Sequence, residues 1–258
     1  MSEIASIFRP NYKALITYIT VGYPDMAATP KLAAALAESG ADIIELGIPF
    51  SDPLADGATI QRASHRALEQ GTTPQACLEL AAGIRRQIGT PLVFMTYYNP
   101  VFSYGLEGFC KACASSGING LIVPDLPPEE GAELENITRQ HGLDLIYLLA
   151  PTSTVAHIAT VAQRSRGFIY LVSLTGVTGA RARLPPGLEG FVARVRQKAK
   201  QPLCVGFGVA TSEQARRIAL VADGIIVGSR LIQLIEEDAS LTLLRSFVSS
   251  LRQALNST

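Results

Sequence analysis

Short apolar, β-branched runs alternate with longer amphipathic stretches from one end of this chain to the other, and that alternation narrows the fold more than any motif does. Strands are predicted at Ala14–Thr20, Asp42–Gly47, Leu92–Tyr97, Gly120–Val123, Asp144–Leu149, Phe168–Ser173, Leu203–Gly206 and Gly224–Val227. Helical patterns fall at Ala27–Ser39, Thr59–Glu69, Pro74–Gln87, Glu107–Ser116, Glu129–His141, Val155–Arg164, Leu188–Lys200 and Ser212–Leu220, with a final pair at Ser229–Glu237 and Leu241–Leu255. Strand followed by helix, repeated in this way, predicts an α/β protein of the closed (β/α)8 TIM-barrel class with extra helices. An open doubly wound sheet is the alternative, but its G-x-G-x-x-G fingerprint is missing after the first strand. Glu38-Ser39-Gly40-Ala41-Asp42, Ser115-Ser116-Gly117-Ile118-Asn119-Gly120 and Gln140-His141-Gly142-Leu143-Asp144 repeat one helix-to-strand turn, with glycine just past the helix end. The 258 residues suit one barrel, and no shift in composition marks a linker, so residues 1–258 are expected to form a single catalytic domain.

Lys+Arg and Asp+Glu balance at 22 each, which argues against nucleic acid as the main partner. No apolar run approaches the length of a membrane span. The first residues, Met1-Ser2-Glu3-Ile4-Ala5-Ser6-Ile7-Phe8-Arg9-Pro10, lack the basic flank and apolar core of a signal peptide, so a cytoplasmic enzyme is expected. Cys110-x-x-Cys113 has half the spacing of a zinc site, but no second Cys/His pair follows it. Together with Cys77 and Cys204 these residues read as buried thiols, and no metal is expected.

Barrel chemistry gathers at the C-terminal ends of the strands and in the loops after them. The richest such stretch is Ile43-Ile44-Glu45-Leu46-Gly47-Ile48-Pro49-Phe50-Ser51-Asp52-Pro53-Leu54-Ala55-Asp56-Gly57. Alternation sends Ile44 and Leu46 to one face of the strand and Ile43, Glu45 and Gly47 to the other. A lone Glu inside an apolar strand is costly to bury ionised unless something meets it. Two readings fit: an acid–base site built from Glu45 with Asp52 and Asp56, or a structurally paired Glu beside two turn-forming Asp residues.

Gly206-Phe207-Gly208 closes the seventh strand, and Gly228-Ser229 opens a helix directly after the eighth. Backbone N–H groups that a ligand can approach closely at such loops bind phosphate in many barrels; tight turns that merely need glycine are the other reading. Thr175-Gly176-Val177-Thr178-Gly179 is a third glycine-rich loop, placed to close over a ligand. The lysines (Lys13, Lys31, Lys111, Lys198, Lys200) lie at a strand start or in helices, which disfavours a Schiff-base aldolase. His65, His141 and His157 also fall on helical segments. That leaves carbon–carbon or proton-transfer chemistry run by carboxylates. Tyr97, Tyr98 and Tyr170, with Phe50 and Phe207, either line a pocket for an aromatic ring or pack the core.

The stretch from Glu45 to Gly57 resembles the signature of the tryptophan synthase α subunit family, the indole-3-glycerol-phosphate lyases. Gly176-Val177-Thr178-Gly179, Gly206-Phe207-Gly208 and Gly228-Ser229 agree in order and position, and the resemblance runs over essentially the whole chain. It implies Glu45 as general acid/base and Asp56 as partner of the indole N–H. It further implies a phosphate site at Gly179, Gly208, Gly228 and Ser229, Tyr170 reaching the glycerol-phosphate chain, and Phe207 among the residues on the substrate. Apolar pocket positions fall on Ile60, Met95 and Ile122. Two departures are visible: Ala58 stands where many members have Pro, and Leu174-Thr175 where some have Arg-Ala. The resemblance implies retro-aldol cleavage to indole and glyceraldehyde 3-phosphate with no cofactor in this chain. It also implies an αββα complex in which a pyridoxal-phosphate β subunit receives the indole for tryptophan synthesis, with Phe102 and Tyr104 as anchors. The rivals are a stand-alone lyase that releases free indole and a non-catalytic subunit that only activates a partner.

Overall fold

A computed structural model describes residues 2–172, 187–206 and 208–257. In chain order the elements are α1 (Glu3–Ile7), β1 (Ala14–Thr20), α2 (Ala28–Glu38), β2 (Ile43–Gly47), α3 (Ala58–Glu69), α4 (Pro74–Arg85), β3 (Leu92–Met95), α5 (Tyr98–Tyr104), α6 (Leu106–Ser115) and β4 (Ile118–Ile122). They continue as α7 (Ala132–Gln140), β5 (Asp144–Ile146), β6 (Leu148–Leu149), α8 (Val155–Arg164), β7 (Ile169–Val172), α9 (Leu188–Arg196), β8 (Leu203–Gly206), α10 (Ser212–Ala219), β9 (Gly224–Val227), α11 (Ser229–Glu237) and α12 (Thr242–Asn256).

All the strands pair in parallel, in the order β5-β4-β3-β2-β1-β9-β8-β7-β6. The two ends of that order are consecutive pieces of chain on either side of Tyr147, so the covalent chain closes the ring. The N–H of Tyr170 donates to the Tyr147 carbonyl at 3.0 Å, while the Tyr147 N–H turns to Ser165 Oγ at 3.1 Å. The fifth predicted strand is therefore one strand interrupted at a single residue, and the barrel is the expected (β/α)8 TIM barrel.

Strand alternation divides the core into two layers. Ile16, Ile43, Val93, Ile122, Ile146, Phe168, Cys204 and Ile226 fill the barrel interior, and Leu15, Ile44, Leu46, Phe94, Leu121 and Leu145 face the helices. This is the partition predicted for β2, with Ile43 inside and Ile44 and Leu46 outside.

Two helices were not expected from the sequence. α1 spans five residues, too few for an apolar period to register, and it sends the buried Ile4 into the interior cluster at the N-terminal end of the barrel. Ser2 caps it, and the Ser2 hydroxyl also donates to Asp144. α5 begins with Tyr98-Asn99-Pro100, which reads as a turn, yet proline in a first helical turn forfeits no intrahelical bond. At the far end of the chain Arg252 of α12 donates to Asp42 Oδ2 at 2.7 Å and to the Lys13 carbonyl at 2.8 Å. The Tyr12 hydroxyl meets the other Asp42 oxygen at 2.5 Å, so this cluster fastens α12 across the start of β1 and β2.

Candidate active site

The C-terminal rim of β1, β2, β3 and β4 sets the residues at one level. Register aligns Tyr18 with Glu45, Gly47 with Met95, and Met95 with Ile122. Glu45 leaves β2 on the interior face and is 1% exposed. Neither of its carboxylate oxygens has a hydrogen-bond partner among the described residues. Burial pushes the carboxyl up to about 8, and the charge of Asp56 adds to the rise.

The loop after β2 carries Asp56 to the same place. Its turns are closed by Leu54 N–H to the Asp52 carbonyl at 2.9 Å and by Asp56 N–H to the Pro53 carbonyl at 3.0 Å. Gln61, one turn into α3, donates to the Asp56 carbonyl at 2.8 Å. The Asp56 side chain accepts a 3.1 Å hydrogen bond from the Tyr97 hydroxyl. Burial pushes its carboxyl up to about 6, and the Tyr97 bond pulls against that rise. Asp52, by contrast, is exposed and pairs with the neighbouring Ser51 hydroxyl. Of the three carboxylates in this stretch, two converge and Asp52 makes the local turn.

Tyr18 fills the space between β2 and β9. A Cβ placed on Gly47 would sit 2.1 Å from Tyr18 Oη, and one placed on Gly228 would sit 3.3 Å from Tyr18 Cβ. The tyrosine therefore spans the rim only because both neighbours lack side chains. Its hydroxyl shares a 3.2 Å hydrogen bond with Thr20 Oγ1. Tyr170, on β7 across the barrel, packs against the interior cluster and against Gly206. Burial raises both phenols, and the charges of Glu45 and Asp56 raise them further, so each stands in the protonated form.

Because β8 pairs with β9, the loops after them leave the rim side by side. Gly208 follows β8 with φ +65°, a left-handed conformation that glycine adopts without strain. Gly228 precedes α11, whose first turn no side chain among the described residues caps, and Ser229 is its first residue, buried. Ile122 is buried, Ile60 sits in the first turn of α3 at 9% exposure, and Met95 is half-buried against the interior cluster. Gly179, Phe207 and the loop over 174–184 lie outside the described residues.

The other sequence candidates do not enter the interior of this rim. His65, His141 and His157 pair with Glu69, Glu107 and Glu129 at 3.5, 2.7 and 3.2 Å on the outer helices. Lys13 donates to the Ala222 carbonyl at the opposite end of the barrel. The four cysteines are buried and free, with burial pushing the Cys77 and Cys110 thiols up to about 12. No cluster of three or more His, Cys, Asp or Glu able to hold a metal occurs among the described residues. No helix among them is long and apolar enough to cross a membrane.

The sequence alone does not single out Tyr18, and it leaves Tyr97 as either pocket lining or core packing. The signal for Tyr18 lies in the alternation of β1, which puts Ala14, Ile16, Tyr18 and Thr20 on the interior face. Leu54, on the Asp56 loop, is 93% exposed, and Phe102 of α5 is 65% exposed. Tyr104 is turned partly inward, donating to Gln75 at 2.9 Å. A groove of about 430 Å³ runs between the Asp56 loop and α3, lined by Phe50, Leu54, Arg62, His65 and Leu68.

A family model described as "Tryptophan synthase alpha chain" matches residues 4–254. A tryptophan synthase alpha chain of Dehalococcoides mccartyi is 57% identical over 256 residues, covering 99% of this chain and 100% of that one. The Geobacter sulfurreducens protein of the same name is 47% identical over 262 residues, covering 99% of each. Among solved structures, tryptophan synthase subunit alpha from Legionella pneumophila superposes with a TM-score of 0.92 at 36% identity, over 100% of both chains. A chain of Mycobacterium tuberculosis tryptophan synthase gives 0.92 at 41% identity, over 98% of this chain and 96% of that one. A rim that buries one unpaired carboxylate beside a second, carried on this barrel and matched along its whole length, belongs to a known family: the chain is a member of the tryptophan synthase alpha chain family.

Proposed function

We propose that this chain cleaves indole-3-glycerol phosphate by a retro-aldol step and passes the indole to a β subunit for tryptophan synthesis in the cytoplasm. The observation that carries the reading is Glu45, wholly buried and without a hydrogen-bond partner among the described residues, beside Asp56. A buried carboxylate left unpaired is costly, and its raised pKa of about 8 suits a group that must both give and take a proton near neutrality.

In this reading Glu45, protonated, delivers its proton to C3 of the indole ring. Positive character then develops at the ring nitrogen, where the ionised Asp56 accepts the N–H hydrogen bond. Glu45, now a carboxylate, takes the proton of the C3′ hydroxyl. The C3–C3′ bond breaks as the aldehyde forms, and its electron pair returns to the ring. Glu45 ends protonated, as it began. Ile60, Met95 and Ile122 bound the ring, and Gly208, Gly228 and Ser229 receive the phosphate; the reading extends the phosphate site to Gly179 and the ring contacts to Phe207. From β9 to β2 is two strand spacings, about 10 Å along the sheet, which suits a ring and a glycerol phosphate laid across Tyr18. Tyr170 reaches the glycerol chain from the far wall. The step uses no cofactor of this chain, and pyridoxal phosphate belongs to the β subunit.

Leu54 is exposed on the loop that holds Asp56, and Phe102 is exposed on α5, the helix that follows β3, which suits a partner docked over this end of the barrel. Ordering that loop costs conformational entropy, so docking should speed cleavage. The test is steady-state cleavage by the purified chain while a cognate β subunit is titrated in. Slow cleavage that the β subunit accelerates is the expected result. Fast cleavage without stimulation would make the chain a stand-alone lyase, and none under either condition would make it a non-catalytic activator.

A further inference from the structure

Asp56 sits on a loop, where a carboxylate has many orientations open to it, yet an N–H acceptor needs one. What holds it is Tyr97. That residue lies two positions past the end of β3 and is the N-cap of α5, so its backbone is fixed by the barrel on one side and a helix on the other. Its ring stacks on Phe50 with centroids 5.1 Å apart. Its hydroxyl both donates to Asp56 Oδ2 at 3.1 Å and accepts from the Ala55 N–H at 3.0 Å. The two bonds together grip the loop by its backbone and by its functional side chain. A tyrosine serving only as pocket lining would need neither.

We propose that Tyr97 is a positioning residue, whose hydroxyl fixes the Asp56 carboxylate toward the substrate's ring N–H. The inference rests on the assignment of Asp56 given above. Among the described residues, the titratable groups that face Asp56 are Glu45 from β2, Tyr18 from β1, Tyr170 from β7 and Tyr97 itself. Asp125, in the loop after β4, faces Tyr97 and accepts the Tyr98 N–H at 2.9 Å. Among the described residues no cation shifts Asp56, and the Tyr97 hydroxyl opposes its protonation.

The test compares kcat/KM against pH for the wild type, Tyr97→Phe and Asp56→Asn. Phenylalanine keeps the stack on Phe50 and removes only the hydroxyl. Losing a hydrogen bond to a carboxylate should move the acid limb of the profile to higher pH by about one unit. Site-specific 3-fluorotyrosine at position 97, a stronger donor of nearly the same size, should move it the other way and leave the packing alone. Glycerol 3-phosphate affinity should stay unchanged in both, since the phosphate loops follow β8 and β9. An acid limb unmoved in both proteins, with activity lowered equally at every pH, would reduce Tyr97 to a packing residue and overturn the proposal. If Asp56→Asn kept wild-type activity and the same acid limb, Asp56 itself would be misassigned and the proposal would fall with it.

Discussion

Glu45→Gln should make the protein more resistant to unfolding at alkaline pH, even as it removes the group assigned to the chemistry. The buried carboxyl stands at about 8 against 4.5 for the free side chain. Between those values the folded state holds a proton that the unfolded chain releases. More protons bound in the folded state means that stability falls as pH rises through this window, by about 1.4 kcal/mol per unit. The penalty is absent well below the unfolded value and complete above the folded one. Glutamine has nearly the same shape and does not titrate, so its stability lacks this slope. Subtracting one protein from the other cancels the other titrating groups, and the gap should grow by roughly 3–4 kcal/mol from about pH 5 to about pH 8. Urea unfolding of both proteins at several pH values in that range measures it directly. Parallel stability curves, with a gap that changes by under about 1 kcal/mol, would mean that Glu45 ionises freely in the folded protein and would refute the reasoning.

Gly208→Asp or Gly228→Asp should weaken glycerol 3-phosphate binding at least ~10-fold, because each sets a side chain and a negative charge where the ligand meets backbone N–H groups. Calorimetric titration checks this, and unchanged affinity in both variants would move the anion site elsewhere. Arg252→Ala should cost about 3 kcal/mol of unfolding free energy, since it strips the part-buried Asp42 carboxylate of its cation and leaves it only the Tyr12 hydroxyl and the Leu15 N–H at the base of β1 and β2. Equilibrium unfolding measures that loss, and a value under about 1 kcal/mol would make the cluster incidental.

Most of the barrel was legible because its strands are buried on both faces and read as apolar runs, while the helices between them keep a 3.6-residue period. Glu45 was legible for the same reason turned round: a carboxylate inside such a run has no bland neighbour to explain it. What escaped notice is local or three-dimensional. α1 is too short to carry a period, and α5 opens on residues that also make turns. The break at Tyr147 depends on Ser165, which sits on another segment, so nothing in the strand itself announces it. Residue type and spacing do not separate Asp52 from Asp56, whereas in the structure the Tyr97 hydroxyl holds Asp56 inward and Asp52 faces solvent. Tyr18 reads as an ordinary strand aromatic until Gly47 and Gly228 are seen to flank it.

Whether Glu45 moves the protons is read from steady-state cleavage of indole-3-glycerol phosphate by Glu45→Gln, alongside glycerol 3-phosphate binding to the same preparation. Cleavage should fall by at least ~100-fold with binding unchanged, because size and phosphate contacts are kept and only proton transfer is lost. Cleavage above about a tenth of the wild-type rate, with binding intact, would remove Glu45 from the acid/base role.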